Sequence, residues 1–226
     1  MGVGITTLLE CFGSYRLESV FGLRVSNPWQ VLVSTIFNRA TSPMRAEQVA
    51  AVVVERWSAP ETLAALHPCE LEPLLRALPF ARDKARAVVE AARAVRDRHD
   101  GQVPLGSEDL RLLPGVDRPG AGLILALAHG VPAIIADEHV QRVLHRIGWI
   151  AEEDPLAAEV ALQTEAPPQA WVGLSAGLSS LGRSRCRPVV SRCQGCPLEV
   201  ECPYVGLSSR PGRCDHNPSL IPPGNA

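Results

Sequence analysis

The chain has 226 residues, enough for about one and a half to two ordinary domains with a sizeable core. Its 22 Lys plus Arg against 24 Asp plus Glu leave a net charge of −2, which excludes a globally basic nucleic-acid coat but not a local basic face. Lys84 is the sole lysine, so chemistry that needs an amine can draw only on Lys84 or the chain's N-terminus.

With 46% hydrophobic and 20% charged residues, the composition is that of a globular protein. The first residues, MGVGITTLLE, lack the charged n-region of a secretory signal. Asn27-Pro28 supplies an N-cap and a proline at N1 for a helix over WQVLVSTIF, and Ser42-Pro43 repeats the device before MRAEQVAAVVVERW. Ser58 and Glu61 read as a capping box ahead of TLAAL. From Phe80 to His99, Ala85, Val88, Val89 and Ala92 mark one helical face, and Gly101 ends the element. A short helix from Ser107 enters the turn Leu112–Gly120, and GAGLILALAH leaves it. The apolar stretch Ala121–Ala136 is broken by His129, Gly130 and Pro132, and falls short of the ~18 uninterrupted apolar residues of a membrane span. Asp137 stands at an N-cap position before HVQRVLHRIGW, where Val140, Val143, Leu144 and Ile147 form the apolar stripe. No sustained period-two alternation appears, so the predicted class is all-α.

Charge is segregated. Residues 152–165 carry five acids and no base, whereas 183–192 carries Arg183, Arg185, Arg187 and Arg192 and no acid. The Ser-, Pro- and Gly-rich segment 206–226 is expected to be poorly ordered.

Four of the seven cysteines, Cys186, Cys193, Cys196 and Cys202, follow the spacing C-x6-C-x2-C-x5-C. Without a secretory context this density reads as metal binding in a reducing, intracellular compartment. Four thiolates suit a zinc ion or an iron–sulfur cluster, and the single C-x2-C knuckle favours the cluster. The loop RPVVSR between the first two ligands presents Arg187 and Arg192, which are either suited to phosphate contacts or simply solvated. The turn LPGVDR, Leu113, Pro114, Gly115, Val116, Asp117 and Arg118, offers backbone N–H groups and a helix N-terminus that can hold a phosphate, or serves as a plain connector. Asp137 taken alone is explained as an N-cap.

Taken together, LPGV at 113–116, D-x-H at 137–139 and the cysteine spacing resemble the endonuclease III family of helix-hairpin-helix DNA glycosylases. FARDKAR at 80–86, GQVP at 101–104 and LGRSRC at 181–186 resemble its intervening segments, and the likeness spans about residues 25–204. The resemblance implies two α-helical domains with a DNA-binding cleft between them. A helix-hairpin-helix core domain would span 25–130, and a discontinuous iron–sulfur domain 1–24 plus 131–205. It also implies a [4Fe–4S] cluster on the four cysteines and a partner that is damaged or mismatched DNA; the protein is expected to be a cytoplasmic monomer, nucleoid-associated if the source is prokaryotic. Asp137 would be the catalytic carboxylate that stabilises the sugar cation as a flipped base leaves.

The chain departs from the family at informative places. Bifunctional members carry a lysine that forms a Schiff base with the sugar, and here that position is Pro119, so a monofunctional glycosylase is predicted. A lyase using Lys84 or the N-terminal amine, and a non-catalytic DNA-binding protein that keeps the fold, are the alternatives. Asp117 replaces the family's usual hairpin glycine and brings a carboxylate towards a phosphate site, at a position where left-handed backbone is tolerated by Asp. The residue that fills the gap left by a flipped base falls at Ala40, too small for the task, which leaves Arg39 or Asn38, with Arg39 preferred. The essential acid of the adenine-mismatch branch is Thr35 here, which disfavours that activity.

Overall fold

The structure, a computed structural model, describes residues 2–17 and 27–205. The predicted tail 206–226 and residues 18–24 of the expected N-terminal portion lie outside the described residues. Among the described residues the regular elements are α-helices, with no strand, and no helix is long and apolar enough to cross a membrane. The chain divides into two compact units, one of Met1–Arg16 and Ile134–Ala226 and the other of Leu17–Ala133.

In the continuous unit, α2 (Pro28–Asn38) begins where the Asn27 carboxamide oxygen accepts the Trp29 N–H at 2.9 Å. Ser42 occupies the N-cap of α3 (Pro43–Arg56) without a side-chain bond. The box expected at Ser58 and Glu61 does not form. Pro60 takes the first turn of α4 (Pro60–Ala64), and the residue before a proline is pushed to extended backbone, so Ala59 becomes the cap. A capping box closes one helix later, at α5 (Pro68–Leu75), where Glu70 Oε1 accepts the His67 N–H at 2.7 Å. α6 (Ala81–Arg98) buries the predicted face, Ala85, Val88, Val89 and Ala92, against α4 and α5. α2 packs on α3, on α6 and on α8 (Arg118–His129), which the short α7 (Ser107–Arg111) precedes.

In the other unit α1 (Ile5–Phe12), α9 (Glu138–Arg146) and α10 (Pro155–Glu165) pack around α11 (Pro168–Ser184). Leu8, Phe12, Val140, Leu144, Leu162, Leu174 and Leu178 form its core. Each such side chain contributes about 1.5–3 kcal/mol when fully buried. Glycine sets how closely α11 approaches the start of α9: a Cβ on Gly182 would lie 2.7 Å from His139 Cβ and 2.9 Å from its carbonyl oxygen. That contact brings the polar side chains of α11 within reach of Asp137.

Candidate functional site

Asp137 is fixed from both sides along the chain. The extended approach Ile134–Ala136 is buried, with the Ile135 N–H donating to Ser175 Oγ at 3.0 Å and Gln141 Nε2 donating to the Ala136 carbonyl at 2.7 Å. Asp137 then caps α9 as the sequence predicts. Its Oδ1 accepts the N–H groups of His139 at 3.0 Å and Val140 at 2.9 Å. Its Oδ2 accepts from Ser179 Oγ at 2.6 Å and from Arg183 Nη2 at 3.2 Å, while Arg183 Nε donates to Ser179 Oγ at 3.2 Å. An N-cap requires only the first pair. The second pair holds a carboxylate that is only 8% exposed in one orientation, with its charge matched by a guanidinium.

Beside it, His139 Nδ1 takes a hydrogen bond from Arg142 Nη2 at 3.0 Å, and burial pushes its imidazole below the ordinary histidine value. Arg142 is itself buried, and its remaining donors go to the carbonyls of Glu138, Gly182 and Cys186. A buried arginine is tolerated here because its donors find acceptors.

The four cysteines line one small open pocket, together with Leu181, Leu198 and Tyr204. All four are half-buried and outside any disulfide, Cys193 and Cys196 being joined by a tight turn in which the Cys196 N–H donates to the Cys193 carbonyl at 2.9 Å. Burial, reinforced by the neighbouring sulfurs, pushes the Cys196 and Cys202 thiols up. A tetrahedral zinc needs sulfurs about 3.8 Å apart. Among the described residues the group of three metal-capable side chains gathered within 4.8 Å is Asp137, Glu138 and His139, and no three of these cysteines form one. Four thiolates gathered around one pocket are a donor set that fits an iron–sulfur cluster.

Arg146 organises the loop that carries the first ligand. Its Nη1 donates to the Arg187 carbonyl at 2.7 Å, to Ser191 Oγ at 2.8 Å and to Cys186 Sγ at 3.3 Å, and its Nη2 donates to the Pro188 carbonyl at 3.0 Å. The guanidinium lies 4.4 Å from the centre of the Tyr204 ring. Arg187 and Arg192 are exposed on this braced loop.

In the unit Leu17–Ala133 the turn Leu113–Arg118 is anchored by buried Leu113 and Val116, whose N–H donates back to the Leu113 carbonyl at 3.1 Å. Left-handed backbone falls on Gly115 (φ +82°), where a Cβ would also press to 3.1 Å on Ala87 and Ile36. Asp117 is not in that region. It is the extended N-cap of α8 (φ −93°, ψ −178°), and its exposed carboxylate turns onto the helix, accepting the Gly120 N–H at 2.8 Å. The Ala121 N–H goes to the Asp117 carbonyl at 2.9 Å, and Pro119 has no N–H, so this helix start keeps few donors for an anion.

Arg39 is exposed at the C-cap of α2, followed by Ala40 at φ +52°. Lys84 is 4% exposed, and its Nζ donates to Thr41 Oγ1 at 2.5 Å. Burial, with the Arg39 charge nearby, lowers its amine to about 8. Thr35 spends its hydroxyl on the Val31 carbonyl at 2.8 Å. The structure thus groups the four cysteines with the loop of Arg187 and Arg192. It surrounds Asp137 with Ser179, which motif reading missed, and with Arg183, which it had read only as part of LGRSRC and the basic run, although a serine and an arginine four residues apart interrupt the apolar stripe Leu174, Leu178, Leu181.

Residues 33–168 match the HhH-GPD superfamily of base excision DNA repair proteins. The chain is 31% identical to endonuclease III of Thermotoga maritima over 79% of its own length and 84% of that protein's. It is 26% identical to a thymine-DNA glycosylase of Aeropyrum pernix, over 87% and 92% of the two chains. Its fold superposes with a TM-score of 0.82 on a trapped endonuclease III–DNA covalent intermediate, an estranged-adenine complex, at 27% identity and with 91% and 95% of the chains covered. The chain belongs to the HhH-GPD superfamily of base excision DNA repair proteins and, within it, to the endonuclease III family.

Proposed function

We propose that this protein is a monofunctional DNA glycosylase that hydrolyses the N-glycosidic bond of a damaged or mismatched base and leaves an intact abasic site. The observation that carries the reading is the doubly held Asp137 carboxylate combined with Pro119 where an attacking amine would be required. Asp137 stabilises the positive charge that develops on the sugar and orients the attacking water. Its backbone and side-chain partners are in place before substrate arrives, so no reorganisation is needed as charge develops. The only lysine does not restore lyase chemistry, because Lys84 Nζ is buried and engaged with Thr41.

DNA contact is assigned to the turn Leu113, Pro114, Gly115, Val116, Asp117 and Arg118, to Arg39 beside the flipped base, and to Arg187 and Arg192 on the cysteine loop. Because the Asp117 carboxylate occupies the start of α8, phosphate is taken chiefly by the turn and by Arg118, and the hairpin binds more weakly than one with glycine at that position. Cys186, Cys193, Cys196 and Cys202 would hold a [4Fe–4S] cluster, which when bound supplies a rigid cross-link for the arginine-bearing loop. The protein is assigned to the cell interior, as a monomer.

The test is a product assay on oligonucleotide duplexes carrying oxidised pyrimidines, uracil, thymine–guanine mismatches and alkylated purines, read with and without alkali. Strand breaks that appear only after alkali, on at least one duplex, are expected. No base release from any of them, with DNA binding intact, would favour a non-catalytic DNA-binding protein.

A further inference from the structure

Asp137 has more partners than a helix cap needs, and the surplus comes from one face of one helix. Ser179 and Arg183 stand one turn apart on α11, and both reach Oδ2. Ser179 is fully buried, and its hydroxyl has a single proton. Two neighbours decide where that proton points. Arg183 Nε is a donor only, so it occupies a lone pair of Ser179 Oγ. The Asp137 carboxylate is an acceptor at 2.6 Å, a charge-assisted distance. The hydroxyl proton is therefore directed onto Oδ2 along the chain Arg183, Ser179, Asp137. Another serine on the same helix shows the default: Ser184 Oγ donates to the carbonyl four residues before it, at Ser180. Ser179 gives up that local bond for the aspartate.

We infer that Ser179 is the positioning residue of the reaction: its hydroxyl, oriented by Arg183, fixes the rotation of the Asp137 carboxylate. Oδ1 is already held by backbone N–H groups, so the plane of the carboxylate turns on what holds Oδ2. Arg183 alone is a weaker restraint, since its side chain is about one-third exposed and its bond is longer, at 3.2 Å. Losing the buried hydroxyl frees the carboxylate to rotate without removing its charge. The inference rests on Asp137 as the catalytic carboxylate.

The experiment measures single-turnover base release, DNA affinity and thermal melting for full-length Ser179→Ala, Ser179→Cys and Ser179→Thr beside Asp137→Asn. Ser179→Ala is expected to slow base release by about 10- to 100-fold, the scale of a misplaced catalytic group, with DNA affinity unchanged. Ser179→Cys, of the same shape but a weak donor, should be equally slow, and Ser179→Thr, which keeps the hydroxyl, should stay within several-fold of wild type. An Ala or Cys variant that releases base at the wild-type rate overturns the inference. So does a folded Thr variant as slow as Ala. If Asp137→Asn itself keeps the wild-type rate, the reading of Asp137 fails instead.

Discussion

Among the described residues three helices start on an aspartate, and two of these caps, Asp117 and Asp137, differ most in what surrounds them. Asp117 opens α8 from an exposed position and accepts one backbone N–H, from Gly120. Asp137 opens α9 from a buried position, accepts two backbone N–H groups, and is then gripped by a serine and an arginine from another helix. Burying a carboxylate is costly unless its charge is met by donors. A cap alone does not require that burial, as Asp117 shows. The extra partners at Asp137 exceed what a helix start needs, and they support the catalytic role proposed for it.

Substitutions at the two caps separate them. Asp137→Asn retains an oxygen for the α9 amides, and base release is expected to fall about 10²- to 10³-fold while DNA binding persists. Asp117→Ala removes a cap and should cost about 1 kcal/mol of stability, read as a lower melting temperature, with base release from bound DNA unchanged. DNA affinity should rise in Asp117→Asn at low salt, because a negative charge leaves the hairpin. Equal losses of base release in Asp137→Asn and Asp117→Ala would erase the contrast.

A similar contrast holds between the bracing arginine Arg146 and the exposed arginines it supports. Arg146→Ala removes four donated bonds that shape the loop. Faster tryptic cleavage after Arg192, and several-fold weaker DNA binding, are expected. Unchanged cleavage would mean that the loop holds its shape without Arg146.

Lys84 gives the smallest effect. Its folded value of about 8 lies below the ordinary 10.5, so between those values the unfolded chain keeps a proton that the folded protein has lost. Stability relative to Lys84→Met should therefore rise as pH increases from 8 to 10.5, and stay flat below about pH 7. A relative stability that falls over the same range would contradict the burial of the amine.

Much of this was legible in the sequence. The all-α class followed from helical periodicity and from caps such as Asn27-Pro28, which depend on neighbours in the chain. The box at Ser58 failed because Pro60 moved the helix start by one residue, a local rule outweighed by a stronger local rule. Asp117 was expected near left-handed backbone, yet Gly115 takes that conformation and leaves Asp117 free to cap. What stayed hidden were contacts across the fold. Ser179 and Arg146 carry no motif, Arg183 showed only as part of LGRSRC and of the basic run, and their contacts exist only because Gly182 lets α11 approach α9 and because the cysteine loop folds back over Arg146.

The central claim, that Pro119 leaves an Asp137-dependent glycosylase without an amine nucleophile, is tested most directly by borohydride trapping on a duplex from which the protein releases base. Wild type should yield free base, an alkali-labile strand and no covalent protein–DNA adduct. A wild-type adduct formed in good yield, with strand cleavage in the absence of alkali, would contradict the claim.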